Sequence, residues 1–255
     1  MADLVVAVIP ARHGSERLPG KPLLPIAGKP LIAHTIAAAQ ACSAIDQVLV
    51  ATDHEEIKAA AEAWGAEAVM TPSDLPSGSD RIGAALRNRP GDIIVNLQGD
   101  EPETDPAHLL RCIEGLREDR QAAVSTLSSP LEEGELMDAD CVKVVCDQDQ
   151  RALYFSRGPL GADREDLRSW LAGNAGPVRS AASRHLGIYA YRRAALDDFL
   201  SQPPTALESL ERLEQLRLLE HGLIIAVRPV EQAARGVDTE IDLARVRARL
   251  MGRTK

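Results

Sequence analysis

Short runs of aliphatic and β-branched residues alternate along the first half of the chain with segments whose apolar residues recur at helical spacing. The predicted strands are Leu4–Ile9, Gln47–Ala51, Ala66–Met70, Asp92–Leu97 and Ala122–Leu127. The predicted helices are Leu31–Cys42, His54–Trp64, Arg81–Arg87 and Pro106–Glu118. This alternation indicates an α/β fold, with a mostly parallel sheet flanked by helices on both faces.

The second half of the chain loses this regular alternation. Its predicted strands are Val142–Cys146, Ala152–Phe155, Leu186–Tyr191 and Leu223–Val227, and a final helix is predicted from about Glu240 to Leu250. Residues 156–184 are rich in Gly, Ser, Arg and Ala, which predicts a long mobile connection. Thr205 and Glu208 have the spacing of a capping box, and leucines at three-residue intervals predict one helix over about 207–219.

No internal repeat or linker divides the chain, so we expect a single catalytic domain over residues 1–255. A core would comprise about 1–128 together with about 223–255, and a smaller lobe would come from about 129–222.

Composition narrows the classes of function. The net charge of −9 and the aromatic content of 3% argue against binding to nucleic acid. The four cysteines form no CxxC pair, which predicts buried free thiols in a reducing compartment. No segment has the length of a membrane span and the N-terminus has no basic region, so we expect a cytoplasmic protein without a membrane partner.

The stretch PARHGSERLPGKPL, residues 10–23, follows the first predicted strand and concentrates positive charge there. It is not a Walker loop, because five residues separate Gly14 from Gly20 and Pro22 stands where a hydroxyl should hold magnesium. Glycines beside Arg12, Arg17 and Lys21 favour phosphate binding, and a solvated surface loop is the alternative.

Two carboxylates follow predicted strands and match these cations. Asp100, in NLQGDEP, and Asp238, in GVDT, are candidate ligands for Mg²⁺. Each has a structural alternative: Asp100 shapes a turn before a helix that Thr104 or Asp105 caps, and Asp238 is itself the N-cap of the last helix unless Thr239 is.

Many stretches of the chain together resemble the 3-deoxy-manno-octulosonate cytidylyltransferases, in family order and nearly from end to end. The matching stretches are IPARHGSERLPGKPL, GKPLIAHT, VLVATDHEEI, SGSDR, IVNLQGDEP, VKVV, ALYFSR, RHLGIYAYR, LERLEQLRLLEHG and GVDTEIDLARVR. The resemblance implies a Rossmann-like nucleotidyltransferase fold with a dimerisation lobe from the second half, and a homodimer. It implies the transfer of CMP from CTP to 3-deoxy-manno-octulosonate (Kdo) for lipopolysaccharide biosynthesis.

The resemblance also implies roles for particular residues. The catalytic residues would be Lys21, Asp100, Asp238 and Arg17, with Asp100 and Asp238 as the ligands of Mg²⁺. The nucleotide would bind Pro10, Ala11, Arg12, Arg17, Lys21, Ser77, Gly78, Ser79, Arg81 and Asp100. The sugar acid would bind Gln98, Arg157, His185, Tyr189, Glu214 and Gln215. Taken without the resemblance, the sugar candidates read as surface cations, core residues or a solvated helix face.

Three other functions remain open from the sequence. A modified octulosonate, such as an 8-amino sugar, or a sialic-like acid would use the same nucleotide loop with another sugar pocket. A catalytically silent nucleotide-binding regulator predicts the loss of Lys21 or of a metal carboxylate, and all of these are present. A nucleic-acid-binding module conflicts with the acidic charge.

Overall fold

The strands and helices have the following bounds in a computed structural model that describes residues 3–14, 18–174, 176–232 and 236–252. The strands are β1 Val5–Ala11, β2 Pro25–Ile26, β3 Lys29–Pro30, β4 Gln47–Thr52, β5 Glu67–Met70, β6 Ile93–Asn96, β7 Val124–Ser129, β8 Lys143–Cys146, β9 Ala152–Ser156, β10 Ser183–Arg192 and β11 Ile225–Pro229. The helices are α1 Leu31–Ala41, α2 Glu55–Ala63, α3 Gly78–Ala85, α4 Pro106–Glu118, α5 Arg164–Leu171, α6 Arg193–Ser201, α7 Ala206–Glu211, α8 Gln215–Glu220 and α9 Glu240–Gly252.

One nine-stranded sheet organises the chain, and its main path runs in the order β11-β7-β10-β6-β1-β4-β5. The pairs β6–β1, β1–β4 and β4–β5 are parallel, as is β7–β11. Strand β10 is antiparallel to both β6 and β7, and β8 and β9 extend the sheet from β10. The predicted α/β class, with a largely parallel central sheet between helices, is confirmed.

Strand β1 lies at the centre of this sheet because both of its faces are apolar. Val5, Ala7 and Ile9 belong to the core cluster that includes residues of α1 and α4, whereas Val6 and Val8 belong to the cluster with α3 and α6. Alternate residues of a strand point to opposite faces, so a strand that is covered on both faces reads as a continuous apolar run. Because β4 and β6 both run parallel to β1, the loops that follow these three strands leave the sheet at the same edge.

The prediction of one long leucine helix was wrong, because the chain breaks between α7 and α8. Glu208 takes its predicted place in the capping box, since its Oε2 accepts from the N–H of Thr205 at 3.1 Å. Arg212, however, adopts a left-handed conformation with φ 55°. Residues three apart drift by about 60° per step around a helix, so a long three-residue repeat cannot keep its leucines on one face. The break leaves Leu210 82% exposed and buries Leu213.

The prediction of a long connection over 156–184 was also wrong, because α5 occupies part of it. Asp163 caps α5 by accepting hydrogen bonds from the N–H groups of Glu165 and Asp166, and Arg179 pairs with Asp166 at 2.7 Å. No residue of α5 is buried. The helix is therefore stabilised by its N-cap and by an ion pair. Because it has no buried apolar stripe, the hydrophobic pattern of the sequence did not predict it.

The prediction of free cysteines is confirmed. All four cysteines are free, and three of them are buried. Within the described ranges, every helix is too short or too polar to cross a lipid bilayer.

Candidate functional site

A cavity of about 400 Å³ lies at the sheet edge where the loops after β1 and β6 meet. Its lining contains most of the residues predicted for the nucleotide and the metal. These are Pro10, Ala11, Arg12, Lys21, Ser77, Gly78, Arg81, Asp100 and Asp238. Gln98, predicted for the sugar acid, lines the same cavity. The predicted residue Arg17 lies outside the described residues.

Lys21 joins the two predicted metal carboxylates. Its Nζ donates hydrogen bonds to Oδ2 of Asp100 at 2.5 Å, to the carbonyl oxygen of Val237 at 2.7 Å and to Oδ1 of Asp238 at 3.2 Å. Only 13% of the Lys21 side chain is exposed, so these charges interact in a partly desolvated environment. The three residues are far apart in the sequence, and only the fold brings them together.

The local backbone explains how Lys21 reaches this position. Gly20 has a φ of 66°, a left-handed conformation that costs glycine little, and its N–H donates to the carbonyl oxygen of His13 at 3.2 Å. Pro22 then follows inside the short 3₁₀ turn Lys21–Leu23. The proline that excludes a Walker loop therefore helps to build the turn that holds Lys21.

The helices that follow Asp100 and Asp238 are capped by other residues. Asp105 caps α4 by accepting a hydrogen bond from the N–H of Ala107 at 2.8 Å. At the start of α9, the hydroxyl of Thr239 accepts from the N–H of Asp242 at 3.2 Å, which is the bond expected of an N-cap. Both helices are thus capped without the side chains of Asp100 and Asp238, which bind Lys21 instead.

The pair of Asp100 and Asp238 fits a divalent cation that is shared with a substrate. Within the described ranges, no group of three or more His, Cys, Asp or Glu side chains is arranged to hold a metal ion. Mg²⁺ is commonly bound by one or two carboxylates together with phosphate oxygens and water. Two carboxylates that already converge on one cationic group therefore suit Mg²⁺ only when a phosphate completes the coordination.

The loop before α3 brings backbone donors to the cavity. Ser77 caps α3: its hydroxyl accepts from the N–H of Asp80 at 3.1 Å and donates to Oδ2 of Asp80 at 2.7 Å. The start of a helix presents unpaired N–H groups that attract anions. Gly99 also lines the cavity, and a Cβ there would lie 3.0 Å from the carbonyl oxygen of Pro10, so this close approach favours glycine.

Arg81 braces the loops around the cavity. Its guanidinium donates to the hydroxyl of Thr71 at 2.5 Å, to the carbonyl oxygen of Pro72 at 3.1 Å and to Oδ2 of Asp53 at 3.2 Å. Oδ1 of Asp53 also accepts from the N–H of His13 at 3.1 Å. Sequence reasoning missed Asp53, although it follows a predicted strand at the same sheet edge as Asp100.

Glu101, the residue that follows Asp100, has a strongly shifted pKa. Burial, and then the charge of Asp100, raise the pKa of Glu101 to about 8. The carboxyl group of Glu101 is therefore largely protonated near neutral pH and adds little negative charge beside the cavity.

Two of the predicted sugar residues lie in an aromatic row along β10. The ring of His185 lies 4.9 Å from that of Phe155 and 5.4 Å from that of Tyr189. Burial lowers the pKa of His185 to about 3, so its imidazole is neutral near pH 7, and Nε2 lies 3.0 Å from the hydroxyl of Thr126. Along β10, the strand that is antiparallel to both of its neighbours β6 and β7, a ligand would therefore find aromatic rings and neutral polar groups.

Arg157 is anchored by two residues that sequence reasoning missed. The carboxylate of Glu211 accepts a hydrogen bond from the backbone N–H of Arg157 at 2.9 Å. The backbone carbonyl oxygen of Glu211 accepts another from Nε of the Arg157 side chain at 3.0 Å. The buried Lys143 donates to the carbonyl oxygen of Arg157 at 2.5 Å. A lone cation inside the apolar run VKVV was the available signal for Lys143.

The remaining predicted residues meet where α8 begins. The hydroxyl of Ser79 donates to Oε2 of Glu214 at 2.7 Å, although Ser79 was predicted to bind the nucleotide. Gln215 is 5% exposed, and its Nε2 has no hydrogen-bond partner among the described residues. A buried amide without a partner is costly and suits a polar ligand.

Comparisons with known proteins show which sequences this chain resembles. The family model described as cytidylyltransferase matches residues 6–228. The 3-deoxy-manno-octulosonate cytidylyltransferase of Bdellovibrio bacteriovorus is 45% identical over 242 residues, which cover 95% of this chain and 96% of the relative. The protein of that name from Escherichia coli is 42% identical over 243 residues, which cover 95% of this chain and 94% of the relative.

Solved structures show the same relationship. A CMP:2-keto-3-deoxy-manno-octonic acid synthetase, solved in complex with CTP, superposes with a TM-score of 0.89 at 40% identity and covers 99% of this chain and 100% of its own. The 4-diphosphocytidyl-2C-methyl-D-erythritol synthase of Anaerococcus prevotii superposes with a TM-score of 0.63 at 13% identity and covers 98% of this chain and 99% of its own. The second likeness concerns the fold alone.

Proposed function

Because the chain belongs to the 3-deoxy-manno-octulosonate cytidylyltransferase family, we propose that it transfers the CMP moiety of CTP to the anomeric hydroxyl of Kdo. The products are CMP-Kdo and pyrophosphate, and the activated sugar serves lipopolysaccharide biosynthesis. The observation that carries this proposal is the contact of Lys21 with both Asp100 and Asp238 at the wall of a cavity beside Arg12. Phosphoryl transfer needs such groups, because the protein mainly positions the reactants and neutralises charge.

The positive side chains would act on the triphosphate. Lys21 and Arg12 line one wall, and their charges would offset the negative charge that builds up on the leaving pyrophosphate. Arg17 is proposed to add a third cation from the same loop. An interaction that strengthens as the bond breaks lowers the barrier and not merely the KM.

Asp100 and Asp238 would hold Mg²⁺ together with oxygens of the nucleotide. When bound, the metal would neutralise the triphosphate and act as a Lewis acid on the transferred phosphoryl group. Lys21 contacts both carboxylates, so it would keep them close together when the metal is absent.

The rest of the nucleotide would lie between the end of β1 and the start of α3. The backbone at Pro10 and Ala11 would contact the cytosine. The N–H groups at the start of α3, from Gly78 onwards, would face the phosphates of the nucleotide. Arg81 lines the cavity while its guanidinium is bonded to protein groups, so we propose that it acts mainly by fixing this loop.

The sugar acid would bind beside the nucleotide, towards β10 and α8. Arg157 would attract the sugar carboxylate, and Gln98, His185, Tyr189, Glu214 and Gln215 would bind its hydroxyl groups. The unpartnered amide of Gln215 and the neutral imidazole of His185 support contacts to hydroxyl groups rather than to another charge.

We also propose a cytoplasmic homodimer that forms through the lobe of residues 129–222. Free cysteines are expected in a reducing compartment. Trp170 and Leu171 of α5 are 43% and 71% exposed, which supports a role for this lobe in association.

The test is the release of pyrophosphate from CTP and Mg²⁺, with and without Kdo. Parallel reactions contain the 8-amino analogue and a sialic acid. Release that depends on Kdo supports the proposal. Release only with another acid keeps the mechanism and overturns the substrate, and no release from folded protein with any acid favours a silent nucleotide-binding regulator.

A further inference from the structure

Ser79 lies in the first turn of α3 but is turned away from the cavity. Ser77 and Gly78 are among the residues that line the cavity, whereas Ser79 is 3% exposed and is not among the described lining residues. Ser77 is the N-cap of α3 and has an extended backbone, whereas Ser79 lies inside the helix. The buried hydroxyl of Ser79 is thus bound to Glu214 and not presented to the cavity that Ser77 lines, although both serines occur in the stretch that resembles a nucleotide loop.

The partner of Ser79 is Glu214, which comes from the opposite half of the chain. The Ser79 hydroxyl donates to Oε2 of Glu214 at 2.7 Å, across 135 positions of sequence. Glu214 immediately precedes α8 and the unpartnered amide of Gln215. Burial, and then the charges of Tyr191 and Glu214, raise the pKa of Tyr189. The carboxyl group of Glu214 is thus close enough to Tyr189 in β10 to affect its pKa.

We propose that Ser79 is a positioning residue for the sugar acid, which acts by orienting the carboxylate of Glu214, and that it is not a ligand of the nucleotide. This inference rests on the proposed function, in which Glu214 contacts the sugar. The contact also joins the helix that begins at the nucleotide cavity to the segment that carries two sugar residues.

The hydrogen bond restricts a carboxylate that otherwise has several rotamers. A bond from a hydroxyl to a charged acceptor is stronger than one between neutral groups, and it fixes which oxygen remains available to a ligand. We expect Ser79→Ala to raise the KM for Kdo about tenfold, a change that corresponds to about 1.4 kcal/mol. The KM for CTP should change less than about twofold.

The experiment measures the KM for Kdo and the KM for CTP separately, by pyrophosphate release, with thermal unfolding as the test of folding. Ser79→Thr retains a hydroxyl and should restore much of the affinity for Kdo. Ser77→Ala is the matched control, because it changes a serine two positions away that lines the cavity. It should raise the KM for CTP and leave the KM for Kdo nearly unchanged.

A double-mutant cycle with Glu214→Gln provides the second measurement. If Ser79 acts through Glu214, the double variant should lose scarcely more affinity for Kdo than Glu214→Gln alone. A raised KM for CTP in Ser79→Ala, an unchanged KM for Kdo, or additive effects in the cycle would each overturn the inference. Failure of the proposed function is distinguishable, because then the unaltered protein releases no pyrophosphate with CTP and Kdo.

Discussion

Replacing Asp100 with Asn removes one negative charge from the cavity and keeps the size of the side chain. The change weakens the contact to Nζ of Lys21, which is 2.5 Å long in the native chain. Lys21 retains the carbonyl oxygen of Val237 and Oδ1 of Asp238 as acceptors. The fold therefore loses one partner of a network and leaves no buried cation without an acceptor.

The expected cost in stability is small, because the Asp100 side chain is 30% exposed and solvent screens the pair. We expect the free energy of unfolding to fall by about 1 kcal/mol or less, and Tm by about 2–4 °C. The expected effect on turnover is much larger, since Asp100 is a proposed metal ligand. Losing about 4 kcal/mol of electrostatic stabilisation would lower kcat about a thousandfold.

The assay compares kcat for pyrophosphate release across a range of Mg²⁺ concentrations, with urea unfolding as the measure of stability. Asp105→Asn is the matched control, because it makes the same substitution in the same loop. Asn is about as good an N-cap as Asp, so α4 should keep its cap and turnover should be unchanged. Near-native kcat of Asp100→Asn at saturating Mg²⁺ would refute the metal assignment, and unfolding would refute the claim that the residue is dispensable for the fold.

Other contacts give three further predictions. Glu211→Gln should raise the KM for Kdo about tenfold, because Glu211 no longer holds Arg157 as firmly. Glu208→Gln is the control on the same helix: Glu208 pairs with Arg217, so this change should lower Tm and leave the KM for Kdo unchanged. Lys143→Met should lower the free energy of unfolding in urea by about 3 kcal/mol, because three backbone carbonyl oxygens lose their donor; an unchanged urea midpoint would contradict this. The low folded-state pKa of His185 means that the unfolded chain binds one more proton between about pH 3 and pH 6.5, so stability should fall as pH falls through this window. His185→Gln should show a weaker dependence on pH than the native chain, and an identical dependence would contradict the assignment.

The sequence pattern predicted those features that depend on nearby residues. The apolar run Leu4–Ile9 predicted a strand, and β1 is observed over Val5–Ala11. The caps at Asp105 and the capping box at Thr205 were also predictable, because a cap joins residues two or three positions apart. The family was likewise predictable, because the motifs and their order along the chain are properties of the sequence alone.

Features that depend on distant residues, or on the direction of a side chain, were decided by the tertiary structure. The meeting of Lys21 with Asp100 and Asp238 spans most of the chain, and no local pattern encodes it. Local pattern also failed where α7 ends: the leucine spacing predicted one helix, whereas Arg212 adopts a left-handed conformation and Leu213 and Leu216 after it are buried in the core. Ser79 shows the same limit within one motif: the sequence placed it in a nucleotide loop, and its orientation on α3 turned it towards Glu214. A sequence determines local conformation through short-range sterics and hydrogen bonds, whereas the partners of a buried polar group are chosen only when separate elements pack together.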